Sequence, residues 1–165
     1  MRAAFKLHKS FLMITTLLVL NINFAQTKEE TVSYINDIVK MSKGVGSING
    51  ERQHYVTDQI FGLDFVYCKG RYDDLSSKSY YDIKYYDIPW VTMSENIEIN
   101  KERELYEITI KFSGKFNYKM NFDGVNKDGS VGIISIYVLP SKEESVKRAL
   151  LHLKKLSEVK DLFGN

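Results

Sequence analysis

The 165-residue sequence predicts an α+β domain: an antiparallel, curved β-sheet or partial barrel of about 5–7 strands with an N-terminal and a C-terminal helix. Three observations carry this expectation. Apolar residues recur at helical spacing near Val32 and again near Leu150, runs between them are rich in aromatic and β-branched residues, several alternating with period two, and the links are short and marked by Gly, Asp or Ser. Strands grouped between segregated helices build α+β folds, whereas strict strand and helix alternation builds parallel sheets.

The first predicted helix runs from Lys28 to Lys43, with Val32, Ile35, Ile38 and Val39 near one stripe. Thr27 and Glu30 have the spacing of a capping box, and Gly44 and Gly46 stop the helix. Ile60 to Cys68 and Lys78 to Ile88 read as strands, the second ended by Pro89. In Leu105 to Phe112 and Phe116 to Phe122 every second residue is apolar, which predicts two half-buried strands. A three-residue loop, Ser113-Gly114-Lys115, would join them as a hairpin and set Phe112 opposite Phe116 and Ile110 opposite Tyr118.

The next link contains Asp128-Gly129, a turn dipeptide, and leads to Val131–Leu139, apolar on both faces and so expected to be covered on both sides. Pro140 ends that strand. Ser141 and Glu144 then suggest a second capping box, opening a helix with Val146, Ala149, Leu150, Leu153 and Leu156 on one face. In outline, a strand series closed by a C-terminal amphipathic helix resembles the pleckstrin-homology-like barrels. That resemblance lies in element order and implies a fold, not an activity.

Residues 1–25 have the parts of a secretory signal peptide: a basic start at Arg2, Lys6 and Lys9, an apolar run from Phe11 to Leu20, and a small residue at Ala25. Cleavage is expected between Ala25 and Gln26, leaving one globular domain, residues 26–165, that is periplasmic or secreted. The apolar run is about half the ~20 residues that a spanning helix needs, so no transmembrane segment is expected after processing. The leader holds no acid. Its removal leaves 20 basic residues against 21 acidic ones, a formal net charge of −1, without the uncompensated Lys and Arg excess on which nucleic-acid binding rests.

A single cysteine, Cys68, has no internal disulfide partner and reads as a small apolar strand residue. His54 and His152 are the two histidines beyond the leader, and neither has a second ligand at zinc spacing. The loop from Asp123 to Ser130 lacks calcium-ligand spacing, because Val125 and Lys127 fall where oxygen ligands are needed. No Gly-x-Ser-x-Gly elbow or P-loop occurs. No catalytic residue, metal or cofactor is therefore assigned.

Two features carry chemistry. The repeat Tyr80-Tyr81-Asp82-Ile83 and Tyr85-Tyr86-Asp87-Ile88 puts tyrosine on both faces of a strand, and Trp90 lies close by. Tyr81, Tyr85 and Trp90 are accordingly the candidate ligand-binding residues of a non-catalytic binding protein, whose partner would be a protein, a glycan or an apolar molecule. The alternative is a small secreted hydrolase drawing an acid and a base from Asp58, Asp64, Asp73, Asp74, Asp82 and Asp87.

Overall fold

The computed structural model describes residues 26–49, 52–101 and 104–162. The expected signal peptide and its Ala25 boundary lie outside these described residues. Helix α1, Lys28–Val39, opens on the expected capping box: the Glu30 amide donates to Thr27 Oγ1 at 3.1 Å, and the Thr27 amide donates to Glu30 Oε2 at 2.9 Å. A single 3₁₀ turn, Lys40–Ser42, continues it. Seven strands follow: β1 Gly46–Asn49, β2 Arg52–Phe61, β3 Phe65–Asp73, β4 Lys78–Tyr86, β5 Glu98–Lys101, β6 Tyr106–Phe122 and β7 Val125–Val138. Helix α2, Glu143–Leu162, closes the order.

All pairings are antiparallel, and the sheet is open, with the order β1-β2-β3-β4-β6-β5 and β7 on the other edge of β6. The α+β class and the helix at each end are as the sequence predicts; the likeness to a barrel stops at curvature. Strand β6 organises the sheet. One of its edges pairs with β5 through Tyr106–Thr109 and with β4 through Asn117–Phe122, while β7 runs along the other.

The hairpin expected at Ser113-Gly114-Lys115 does not form. Those residues sit inside β6, where the register with β7 shifts between Lys111 and Phe116. A bulge leaves extra residues on one strand and bends it, so the chain continues where a turn signal stands. Phe112 and Phe116 still meet, with ring centroids 4.9 Å apart, but across this bulge and not across a hairpin. Ile110 pairs with Ile134 instead of Tyr118.

The real reversal is Asp123-Gly124. Both residues have positive φ, 50° and 83°, the backbone that a two-residue hairpin turn between right-twisted strands requires. Asp123 is also tied to β4, its Oδ1 accepting from the Tyr80 amide at 2.6 Å and its amide donating to the Tyr80 carbonyl at 2.9 Å. Asp128-Gly129 consequently lies within β7, opposite Lys119 and Tyr118.

The predicted strand Ile60–Cys68 is likewise two strands, because Gly62, Leu63 and Asp64 turn the chain between β2 and β3, and the Gly62 amide donates to the Phe65 carbonyl at 2.8 Å. The Ser141 capping box is also corrected. Ser141 has φ of 71°, outside the extended backbone of a capping residue, and α2 starts two residues later.

Val146, Leu150 and Leu153 of α2 are fully buried, as expected, and α2 packs chiefly on α1 and on the 3₁₀ turn Trp90–Thr92. One apolar cluster joins them to Val32, Ile35 and Val39 of α1 and to Ile108, Ile110, Ile134 and Ile136 of the sheet.

The curvature is held by an amide clasp. Gln59 of β2 is 2% exposed; its Nε2 donates to the Tyr137 carbonyl and its Oε1 accepts from the Tyr137 amide, both at 2.7 Å. Ser42 Oγ donates to the same carbonyl at 2.9 Å. A side-chain amide thus replaces a neighbouring strand at the edge that β6 leaves unpaired, satisfying backbone groups that would otherwise be buried without partners.

Candidate functional site

The curled sheet lines an open hollow of about 360 Å³ between β3, β4, β6 and β7. Alternation along each strand decides which side chains reach it. Tyr81, Ile83 and Tyr85 come from β4, Cys68 and Tyr72 from β3, and Ser135 and Tyr137 from β7, with Glu107, Met120 and Phe122 from β6. The even-numbered neighbours on β7, Ile134, Ile136 and Val138, face the opposite way into the buried core. Val131–Leu139, expected to be covered on both sides, is thus fully buried on one face only: Ile133 is exposed, and Ser135 and Tyr137 beside the hollow are half-buried.

At one end of the hollow an aromatic group is built around His54 of β2, which is 4% exposed. Its ring centroid lies 4.4 Å from that of Tyr137, 4.9 Å from Tyr72 and 5.7 Å from Tyr81. His54 Nε2 and the Tyr81 hydroxyl share a hydrogen bond of 2.7 Å. Burial lowers the His54 pKa to about 4, and burial raises that of Tyr81 well above the ordinary phenol value. At neutral pH the pair is therefore a neutral imidazole bonded to a protonated phenol.

Gly70 makes the pair possible. A Cβ at that position would lie 2.5 Å from both the Tyr55 carbonyl oxygen and the Tyr81 hydroxyl. Only a residue without a side chain lets the Tyr81 ring lie across β3.

The other polar groups are placed with equal definition. Burial pushes the Cys68 thiol up to about 12, and it donates weakly to the Ser135 carbonyl at 3.8 Å. That is an inert, protonated thiol in the wall of the hollow, lacking the electropositive surroundings of a reactive one. Burial also raises the Tyr85 pKa, and the Tyr85 ring meets Phe116 edge-on at 6.0 Å. Glu107 is the single charged side chain among the described residues of the lining.

Two of the three sequence-predicted ligand residues, Tyr81 and Tyr85, line the hollow together. Trp90 does not join them. It is 4% exposed, its Nε1 donates to the Leu63 carbonyl at 2.7 Å, and its ring packs between Phe61 and Phe112 in the core. Pro89 and the following 3₁₀ turn carry it away from the strand on which its tyrosine neighbours sit.

Sequence reasoning missed Tyr72 and Tyr137 and gave His54 little weight. A glycine in the interior of a strand, Gly70, was the available signal for a close approach.

Of the six aspartates, Asp58 and Asp82 flank Lys69 on one face of the sheet, where both charges act on the Tyr67 phenol. Asp73 binds Arg71 at 3.0 Å, Asp74 binds Arg52 at 3.0 Å, Asp82 accepts from the Tyr67 hydroxyl at 2.9 Å and Asp87 from Asn117 at 3.2 Å. None of the six lines the hollow. A larger groove of about 540 Å³ lies on the opposite face of the sheet, among Asp82, Lys84, Lys119, Asn121, Asn126 and Asp128. Both signs of charge and amides alternate there and no aromatic ring lines it, so size alone does not make it the better site. Convergent aromatic walls with a few oriented polar groups are the usual composition of a small-molecule pocket.

Among the described residues no three His, Cys, Asp or Glu side chains gather as metal ligands, and no helix is long and apolar enough to cross a membrane. The fold and site together define an open, helix-flanked α+β sheet with an aromatic-lined hollow. No protein-family model matches the chain, and neither a curated protein nor a solved structure matches it.

Proposed function

We propose that this chain is an exported, non-catalytic binding protein that takes a small, largely apolar ligand into the hollow between β3, β4, β6 and β7. The observation that carries the reading is the convergence of Tyr72, Tyr81, Tyr85 and Tyr137 around about 360 Å³ of space. Rigid aromatic side chains supply contact area at low entropic cost, and a pocket of this size falls in the range of small-molecule sites. The hydrolase alternative has less support, since glycoside hydrolysis needs two carboxylates flanking one bond, none of the six aspartates lines the hollow, and four of them are engaged by other side chains.

Export is supported by the leader composition and by the position of the first cap. Cleavage after Ala25 leaves Thr27 and Glu30, the whole capping box, in the mature chain. Mass spectrometry of the native product should find an N-terminus at Gln26; a full-length, membrane-retained species refutes it.

The pocket itself is tested with N-phenyl-1-naphthylamine, a neutral apolar fluorophore. Saturable, one-to-one enhancement of its emission by the folded protein is expected, and Ser135→Phe, which places a ring in the hollow, should abolish it while melting stays cooperative. Enhancement that is unsaturable, or unchanged in the folded Ser135→Phe protein, overturns the reading.

A further inference from the structure

We infer that the ligand of the hollow is an organic cation with an apolar body, its ammonium group held between the Glu107 carboxylate and the tyrosine rings. The inference rests on the binding reading above and names its ligand class. Glu107 lies on β6 directly opposite Tyr137, one of the hollow's rings, and its charge reaches the Tyr81 phenol.

Several cations of the sheet are engaged elsewhere. Lys111 binds Glu98, Arg71 binds Asp73 and lies over the Tyr55 ring, Lys84 lies over Phe65, and Lys101 over Tyr106. Among the described residues none forms an ion pair with Glu107 and no Lys or Arg lines the hollow. A half-buried carboxylate facing an apolar cavity without a cation of its own is a site for a ligand's positive charge.

The rings act in the same direction. Phenol faces carry the negative side of the ring quadrupole and attract ammonium groups, more strongly where water is excluded. His54 adds no competing charge, being neutral at physiological pH. An anionic ligand would meet Glu107 with nothing opposite to compensate it, so anions should be rejected.

The test compares two probes of the same shape: benzyltrimethylammonium and neopentylbenzene, in which carbon replaces the nitrogen. Each is titrated as a competitor of N-phenyl-1-naphthylamine on the wild-type protein and on Glu107→Gln. The cation should displace the fluorophore at about tenfold lower concentration than its neutral isostere on the wild type. In Glu107→Gln that preference should shrink to the smaller part that the rings supply.

Equal displacement by both probes on the wild type overturns the cation assignment, and a preference undiminished in Glu107→Gln overturns the role of the Glu107 carboxylate; either leaves the apolar pocket standing. Failure of the fluorophore itself to bind the folded protein overturns the pocket, and the cation assignment with it.

Discussion

Alternate residues of β7 face two different interiors. Ile134, Ile136 and Val138 enter a core that includes Leu150 and Leu153 and are fully buried; Ser135 and Tyr137 face the hollow and are only half-buried. Branched aliphatic side chains interdigitate and fill the first space. Tyrosines, which must keep their hydroxyls bonded, and a charged glutamate fill the second incompletely. One strand thus stabilises the domain with one face and presents chemistry with the other.

The largest expected effect breaks the aliphatic side. Leu150→Ala should lower unfolding free energy by about 2–5 kcal/mol in urea titrations, because a fully buried leucine leaves a cavity that its neighbours only partly fill. A loss below about 1 kcal/mol would mean that the two interiors do not differ in packing as described.

The aromatic side should instead respond to pH. The unfolded His54 imidazole titrates near 6.5 and the folded one near about 4, so within that window the unfolded chain binds the additional proton. Its contribution to stability is complete above the unfolded value and is lost as pH falls through the window, by roughly 3 kcal/mol at most. Denaturation from pH 7.5 to 4 should show this slope, and His54→Gln should flatten it. An identical slope in the variant would assign the acid sensitivity to other groups.

Gly70→Ala links the two effects. The added methyl meets the Tyr55 carbonyl and the Tyr81 hydroxyl, at an expected cost of about 1–3 kcal/mol from overpacking. If displacing Tyr81 opens His54 to water, the burial that lowers the imidazole pKa is relieved and the value should move back toward 6.5, which NMR titration of the ring protons would read. A variant as stable as the wild type with an unmoved pKa would show that the tyrosine does not depend on this glycine.

Glu107→Gln should have the smallest effect, within about 0.5 kcal/mol, since no ion pair among the described residues is lost. A substantially larger loss of stability would make Glu107 a structural residue and move it out of the comparison.

Sequence alone determined what depends on near neighbours in the chain. The stripe Val32, Ile35, Val39 and the stripe Val146, Leu150, Leu153 fix two helices, and Thr27 with Glu30 fixes where the first begins, because helical spacing and caps act over a few residues. Period-two alternation likewise marked both halves of β6. Only the tertiary structure decided which of Ser113-Gly114, Asp123-Gly124 and Asp128-Gly129 turns the chain. All three carry turn chemistry, and the choice falls to the pairing of β6 with β4 and to the Tyr80 bonds of Asp123, made across 43 residues.

The candidate site was legible in part for the same reason. Tyr81 and Tyr85 share a strand face by local alternation, whereas Trp90 entered the core through a turn after Pro89. Meeting His54, Tyr72 and Tyr137 required sheet order and curvature, clasped by Gln59 over a separation of 78 residues. A sequence pattern records which side of its own strand a residue occupies; which strand lies opposite is set by long-range hydrogen bonds and burial, and those exist only in the folded chain.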